Sequence, residues 1–299
     1  MVSALADKSD IRKKIVAYPF VKWAGGKRLL INEYRKYFPL KGSYITYFEP
    51  FLGGGAVFFD LQPEKAILMD INEELINAYK VIQSNLEGLI LELKRHKENH
   101  CEKYYYQVRN WDRLPDYKDR TPEEKAGRFI YLNRTCFNGL YRVNRNGHNN
   151  VPIGRYKNPK ILDRENLINV HELLDGDKDI RIINTDYKEV LKYAEKGDFV
   201  YFDPPYYPLD DTSFTSYTKN DFGPEDHEKL AEVFMELHKR GCKVALSNSS
   251  AEEVYKLYDY DGIDIIPLYA RRSINSNSNG RGSIKELLII NYGSELKNK

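Results

Sequence analysis

The chain has 299 residues, 46 Lys and Arg against 44 Asp and Glu, and a net charge of only +2, so total charge identifies no partner. Hydrophobic residues make up 41%, which excludes an intrinsically disordered chain, and no apolar run approaches the roughly 20 residues that span a bilayer. Three cysteines (Cys101, Cys136 and Cys242) are too few and scattered for a disulfide framework or a zinc site, and Met1 to Asp10 has no apolar core of a signal peptide, so a soluble cytoplasmic protein without a metal or membrane role is expected.

In chain order, the segment Lys22-Trp23-Ala24-Gly25-Gly26-Lys27-Arg28 comes first. It fails as a phosphate loop, because Val21 stands where Gly is needed and Arg28 where Ser or Thr is needed. Cations and an indole around a Gly-Gly turn suit a carboxylate next to an aromatic or apolar group. Tyr44 to Glu49 is a predicted strand, followed by Pro50-Phe51-Leu52-Gly53-Gly54-Gly55 and a helix near Ala56 to Leu61. Glycines there let backbone approach a ligand closely and open a helix with its N–H groups outward. Ala66 to Met69 is a second predicted strand ending at Asp70, 17 residues past Gly53, close to the spacing at which an acid binds ribose hydroxyls. Phe58 replaces the third glycine of a dinucleotide fingerprint. A ribose, an amino-acid carboxylate and a purine are therefore implied together, and S-adenosyl-L-methionine (AdoMet) fits that list better than a nicotinamide dinucleotide or a nucleoside triphosphate.

From Leu75 to Leu174 strand alternation stops and a mainly helical insertion is predicted, too long for a connection. The expected domains are thus 1–74 with 175–299 for catalysis and 75–174 for an inserted recognition unit. Within it, Ala126 to Leu162 contains no Asp or Glu, yet carries Arg128, Arg134, Arg142, Arg145, Arg155, Lys157 and Lys160 among Phe129, Tyr131, Phe137, Tyr141 and Tyr156. Cations for phosphates and rings for bases point to nucleic acid.

Strands are next predicted at Ile180–Asn184 and Asp198–Phe202, then a helix from Pro224 to Lys239 and strands at Lys243–Ser247, Ile263–Tyr269 and Glu286–Tyr292. Alternation of this kind gives a mostly parallel α/β sheet with ligands beyond its strand C-termini, where Glu49, Asp70 and Asp203 all fall. Asp203-Pro204-Pro205-Tyr206 is the sharpest signal. Two prolines fix the backbone and remove N–H donors, leaving carbonyls beside a carboxylate and a ring. Two acceptors and a stacking surface suit a planar heterocycle with an exocyclic amine.

These motifs, with Leu132 to Asn144, Asn150 to Pro159, Phe214 to Tyr217 and Arg271 to Asn277, occur in one order from about Phe20 to Tyr292. The chain resembles the Dam-type DNA adenine-N6 methyltransferases. The resemblance implies a Rossmann-like AdoMet-dependent methyltransferase sheet with an inserted DNA-recognition domain, acting on double-stranded DNA at GATC by base flipping and direct attack. A cognate restriction endonuclease is implied as a possible partner. Asp203, Pro204 and Tyr206 are the catalytic candidates, and Trp23, Lys27, Glu49, Phe51, Gly53, Gly55, Asp70, Asp186 and Asp203 the cofactor candidates. DNA candidates are Lys22, Arg134, Phe137, Asn138, Leu140, Arg142, Pro152, Arg155, Tyr156, Arg271 and Arg272. By position, the resemblance gives the outer guanine to Lys22 and Tyr156, the thymine methyls to Leu140 and Pro152, and the guanine opposite the last cytosine to Arg142. Phe137 replaces the tyrosine usual at its position. The alternatives are transfer to another planar amine (cytosine N4, RNA or a protein amide), or an AdoMet-responsive DNA-binding protein without catalysis.

Overall fold

A computed structural model describes residues 15–23, 25–27, 30–209, 222–271 and 283–296. The elements are α1 (Ile31–Tyr34), β1 (Tyr47–Glu49), α2 (Ala56–Leu61), β2 (Lys65–Asp70), α3 (Glu73–Ser84), α4 (Leu86–Glu98), α5 (Glu102–Arg109), α6 (Pro122–Thr135), α7 (Arg164–Asp175), β3 (Asp179–Asn184), β4 (Phe199–Phe202), α8 (Pro224–Arg240), β5 (Lys243–Ser249), α9 (Glu252–Leu257), β6 (Asp264–Arg271), β7 (Ser283–Ile290) and α10 (Gly293–Leu296). Seven strands form one sheet in the order β3-β2-β1-β4-β5-β7-β6. The first five are parallel, and β7 runs antiparallel to both β5 and β6. Strand order reverses between β1 and β4, which opens a crevice at their C-terminal ends where an α/β sheet binds its ligands.

Successive strand residues alternate faces, and here both faces are apolar and covered. Tyr47, Leu68, Tyr201 and Leu288 belong to one buried cluster, and Phe48, Met69, Phe202 and Leu287 to the other. The second face packs against Leu230 and Phe234 of α8. The first cluster continues without a break from the sheet into Leu75 and Tyr79 of α3, Leu89 of α4, Ile130 and Tyr131 of α6 and Leu173 of α7. The helical segment between β2 and β3 therefore shares its core with one face of the sheet.

Local signals start and stop the helices. Asn72 accepts from the Leu75 N–H at the head of α3. Thr121 and Glu124 form a reciprocal capping box before α6, with Pro122 at its first position. Gly241 ends α8 in the left-handed conformation, φ 82°.

Four strands differ from expectation by more than one residue at an end. The first strand begins at Tyr47 and not Tyr44, because the Asp198 carboxylate takes the Thr46 N–H at 2.9 Å in place of a ladder partner. Strand β5 runs past Ser247 to Ser249, since buried partners answer its polar side chains. β6 and β7 cover Asp264–Arg271 and Ser283–Ile290, extended at the hairpin end because they pair in register from Asp264 with Ile290 to Arg271 with Ser283. No helix among the described residues is long and apolar enough to cross a membrane.

Candidate active site

β4 delivers Asp203 to the crevice, and neighbouring strands fix its carboxylate. Asp203 Oδ1 meets Lys27 Nζ at 2.6 Å and accepts from Ser247 Oγ of β5 at 2.8 Å. Lys27 is 3% exposed and also donates to the Gly25 carbonyl at 2.8 Å. Burial pushes the Asp203 carboxyl up, while Lys27 and Ser247 pull it back. Among the described residues no hydrogen bond reaches Asp203 Oδ2 or the Pro204 carbonyl.

The chain after the prolines is strapped to β5. The Tyr207 N–H donates to Asn248 Oδ1 at 2.9 Å, and its carbonyl accepts from Ser249 Oγ at 2.6 Å. Because Pro204 and Pro205 carry no N–H, these bonds do for the loop what a ladder does for a strand. Lys27 Nζ lies 4.7 Å from the Tyr206 ring centroid. Asp203, the Pro204 carbonyl and Tyr206 thus stand together at one rim.

The glycine turn after β1 meets the end of β2. The Gly53 N–H donates to Asp70 Oδ2 at 2.9 Å, and the Asn72 N–H to Oδ1 at 2.9 Å. Burial pushes the Asp70 carboxyl up and those two bonds oppose it. Gly53 has φ 48°, and a Cβ there would lie 2.8 Å from Trp23 Cδ1, so the indole closes directly on backbone. Trp23 stacks on Tyr141 at 5.8 Å and leans on Phe129 at 6.3 Å. Gly55 is the left-handed residue that opens α2. Phe51 stacks on Tyr187 at 5.1 Å, one residue past Asp186, which caps the Lys188 N–H at the end of β3. Glu49 lies one layer deeper: it is buried, accepts from Tyr47 Oη at 2.8 Å, and burial pushes it up to about 8.

The donor set fits AdoMet. A carboxylate sits at the end of β2 beside Ile71, which is 74% exposed and apolar, while a buried cation and an indole stand across a turn bare of side chains. These suit ribose hydroxyls, an adenine face and an amino-acid carboxylate.

A hairpin-like loop follows α6. The Phe137 N–H donates to the Pro152 carbonyl at 2.9 Å and the Gly154 N–H to the Thr135 carbonyl at 2.8 Å. Phe137 and Leu140 are 49% and 40% exposed, and Asn138, Arg142, Pro152, Arg155 and Tyr156 are exposed beside them. Lys22 Nζ lies over the Tyr156 ring at 3.8 Å. Buried Asn133 accepts from the Lys22 N–H at 2.7 Å and donates to the Lys22 and Gly139 carbonyls, which ties the tryptophan segment to this loop.

The acid-free window is less exposed than its composition suggested. Arg128 is fully buried, bonded to Glu74 at 2.7 Å, to Asp112 at 2.6 Å and to the Val108 and Arg109 carbonyls. Its counterions lie outside the window in sequence and against it in space, so Arg128 is a scaffold residue and no phosphate contact. Lys160 pairs with Asp163 at 2.7 Å. Arg134 is half-buried and donates to the Phe20 carbonyl at 3.0 Å, which turns it inward and away from the exposed loop. Arg142, Arg145, Arg155 and Lys157 are exposed and form no ion pair among the described residues. Arg271 contributes only its backbone to the description, and Arg272 and the segment Phe214–Tyr217 lie outside the described residues.

Sequence reasoning missed Ser247, Asn248 and Ser249. The signal was a polar run, Ser247 to Ser250, closing an apolar strand.

Over residues 23–274 the chain matches the family described as D12 class N6 adenine-specific DNA methyltransferase. It is 44% identical to the type II methyltransferase M1.LlaDCHI of Lactococcus lactis subsp. cremoris, over 95% of this chain and 98% of that protein. It is also 44% identical to the type II methyltransferase M.MjaIII of Methanocaldococcus jannaschii, over 92% and 99%. To the DNA adenine methylase of Escherichia coli K12 it is 33% identical, over 91% and 94%. With AdoMet as its methyl donor and DNA as its substrate, this chain belongs to the D12 class of N6 adenine-specific DNA methyltransferases.

Proposed function

We propose that the enzyme methylates adenine N6 within GATC in duplex DNA, acting on a base turned out of the helix, by direct attack on the methyl group. One observation carries the reading of the amine site: among the described residues no hydrogen bond reaches Asp203 Oδ2 or the Pro204 carbonyl, which leaves both as acceptors.

Adenine N6 is a weak nucleophile because its lone pair is conjugated with the ring. Asp203 Oδ2 and the Pro204 carbonyl accept the two N–H bonds of the amine and localise that lone pair away from the ring. Lys27 and Ser247 favour the ionised carboxylate against its burial and hold its Oδ1 in place. Bound AdoMet would supply an electrophilic methyl sulfonium: as the N6–methyl bond forms the methyl–sulfur bond breaks, its electron pair stays on the sulfur of S-adenosylhomocysteine, and the proton lost by N6 passes to Asp203 Oδ2 and on to solvent. Alignment of this kind is worth up to ~7–11 kcal/mol. Turning the base out costs a few kcal/mol, partly offset by stacking on Tyr206 at roughly 1–3 kcal/mol.

Residues 75–174 are proposed as the target-recognition insert. Lys22 and Tyr156 read the outer guanine, Leu140 and Pro152 contact thymine methyl groups, and Arg142 reads the guanine opposite the last cytosine. Arg155 serves the backbone, as do Arg271 and Arg272. The exposure of Leu140, Arg142, Pro152, Arg155 and Tyr156 and the lysine-on-tyrosine contact support this assignment. The names of the type II relatives support a role alongside a restriction endonuclease with the same target. The test is to digest DNA from an expressing strain with nucleases that distinguish methylated from unmethylated GATC. Protection against the methylation-sensitive nuclease is expected. Full cleavage, with N6-methyladenine present in another sequence, would overturn the GATC assignment.

A further inference from the structure

Strand β7 carries a carboxylate that the reaction above does not use. Glu286 Oε2 accepts from Tyr206 Oη at 2.8 Å and from Tyr34 Oη at 2.8 Å. Tyr34 is fully buried, with its ring edge-on to Tyr201 of β4. Two phenols converging on one carboxylate oxygen is a charge-assisted arrangement, and either hydroxyl left without it would be desolvated and unpaired. Burial pushes both phenols well above their ordinary range, so both stay donors at any working pH.

A ring that only offered a stacking face would need no hydroxyl, because any π surface suffices. Tyr206 is instead held at two ends. Its backbone is fixed through Tyr207 and β5, and its hydroxyl through β7. Those two anchors fix both ends of the ring's long axis. We propose that Glu286, braced by Tyr34, is a positioning residue that fixes where the Tyr206 ring, against which the target adenine is held, stands in the crevice. This rests on Asp203 to Tyr206 being the amine site.

The test uses the full-length enzyme in two assays: methyl transfer to a cognate duplex, and fluorescence of a duplex with 2-aminopurine at the target position, which brightens when unstacked. Glu286→Ala and Tyr206→Phe are each expected to lower kcat by about ten- to hundredfold, the scale of a misplaced reacting group, with unchanged AdoMet affinity. Because both remove one tether, the double variant should be no slower than the slower single one. Glu286→Gln keeps an oxygen acceptor and should recover most of the loss. Tyr206→Phe changes no backbone anchor, so it reads the tether even where Glu286→Ala folds poorly. Multiplying losses in the double variant, or parallel loss of AdoMet affinity and kcat, would overturn the tether. A wild-type enzyme that neither brightens 2-aminopurine nor methylates adenine in the duplex would overturn the amine site, and the tether with it.

Discussion

At the corner where β4 meets β5, the polar groups of Asp203, Tyr206 and Tyr207 are anchored to Lys27, Ser247, Asn248, Ser249 and Glu286, most of them buried. Over the loop after α6, Arg142 has, among the described residues, only Asn150 of its own hairpin as a partner, and Phe137, Leu140 and Tyr156 are exposed. The contrast fits the two jobs proposed for these regions. A reacting group must hold its geometry before substrate arrives, so its partners are internal. A reading group must exchange its partner for a base, so the fold leaves it loosely held.

The largest expected effect breaks the buried ion pairs of α6, the helix that leads into the proposed reading loop. Arg128→Ala leaves Glu74 and Asp112 facing each other without their cation. A loss of roughly 3–5 kcal/mol in unfolding free energy is expected by denaturant titration, the range for removing one partner of a buried ion pair. A loss under about 1 kcal/mol would place Arg128 at a surface, where the fold does not put it.

Second comes pH. Burial lifts Glu49 from 4.5 to about 8, so between those values the folded chain holds a proton that the unfolded chain releases. Stability contributed by that proton is present below about 4.5 and is lost as pH rises toward 8. Glu49→Gln should flatten this part of the thermal-stability profile. An unchanged slope would show that another group carries it.

Third, Arg142→Ala should cost ~1–3 kcal/mol at a single base pair and relax selection there, measured as kcat/KM over single-substituted sites. Uniform weakening over all sites would make Arg142 a backbone contact. The smallest effect belongs to Lys157→Ala, an exposed cation: binding to any duplex should weaken a little, and the slope of log K against log salt should fall by about one.

What was legible in the sequence is what is local. The glycine turn, Asp70 and the Asp-Pro-Pro-Tyr corner each carry their chemistry within a few residues, and the fold places them at one rim. The alternation of strands and helices gave the doubly covered sheet. What was not legible depends on partners far apart along the chain. Arg128 looked like a phosphate contact because Glu74 lies 54 residues away. Glu286 was invisible as a site residue because Tyr206 and Tyr34 are 80 and 252 residues from it. The polar end of β5 looked like a strand terminus, since nothing nearby in sequence shows that Asp203 and Tyr207 will satisfy Ser247, Asn248 and Ser249.

The central claim is that the second carboxylate oxygen of Asp203 grips the amine to which the methyl group is transferred. Its most direct test is transfer of tritiated methyl from labelled AdoMet to duplex DNA by Asp203→Ala, with DNA affinity measured alongside. The account predicts transfer at background with DNA affinity within about threefold of wild type, under half of the ~1.4 kcal/mol that a tenfold change represents. Substantial turnover by that variant would contradict it.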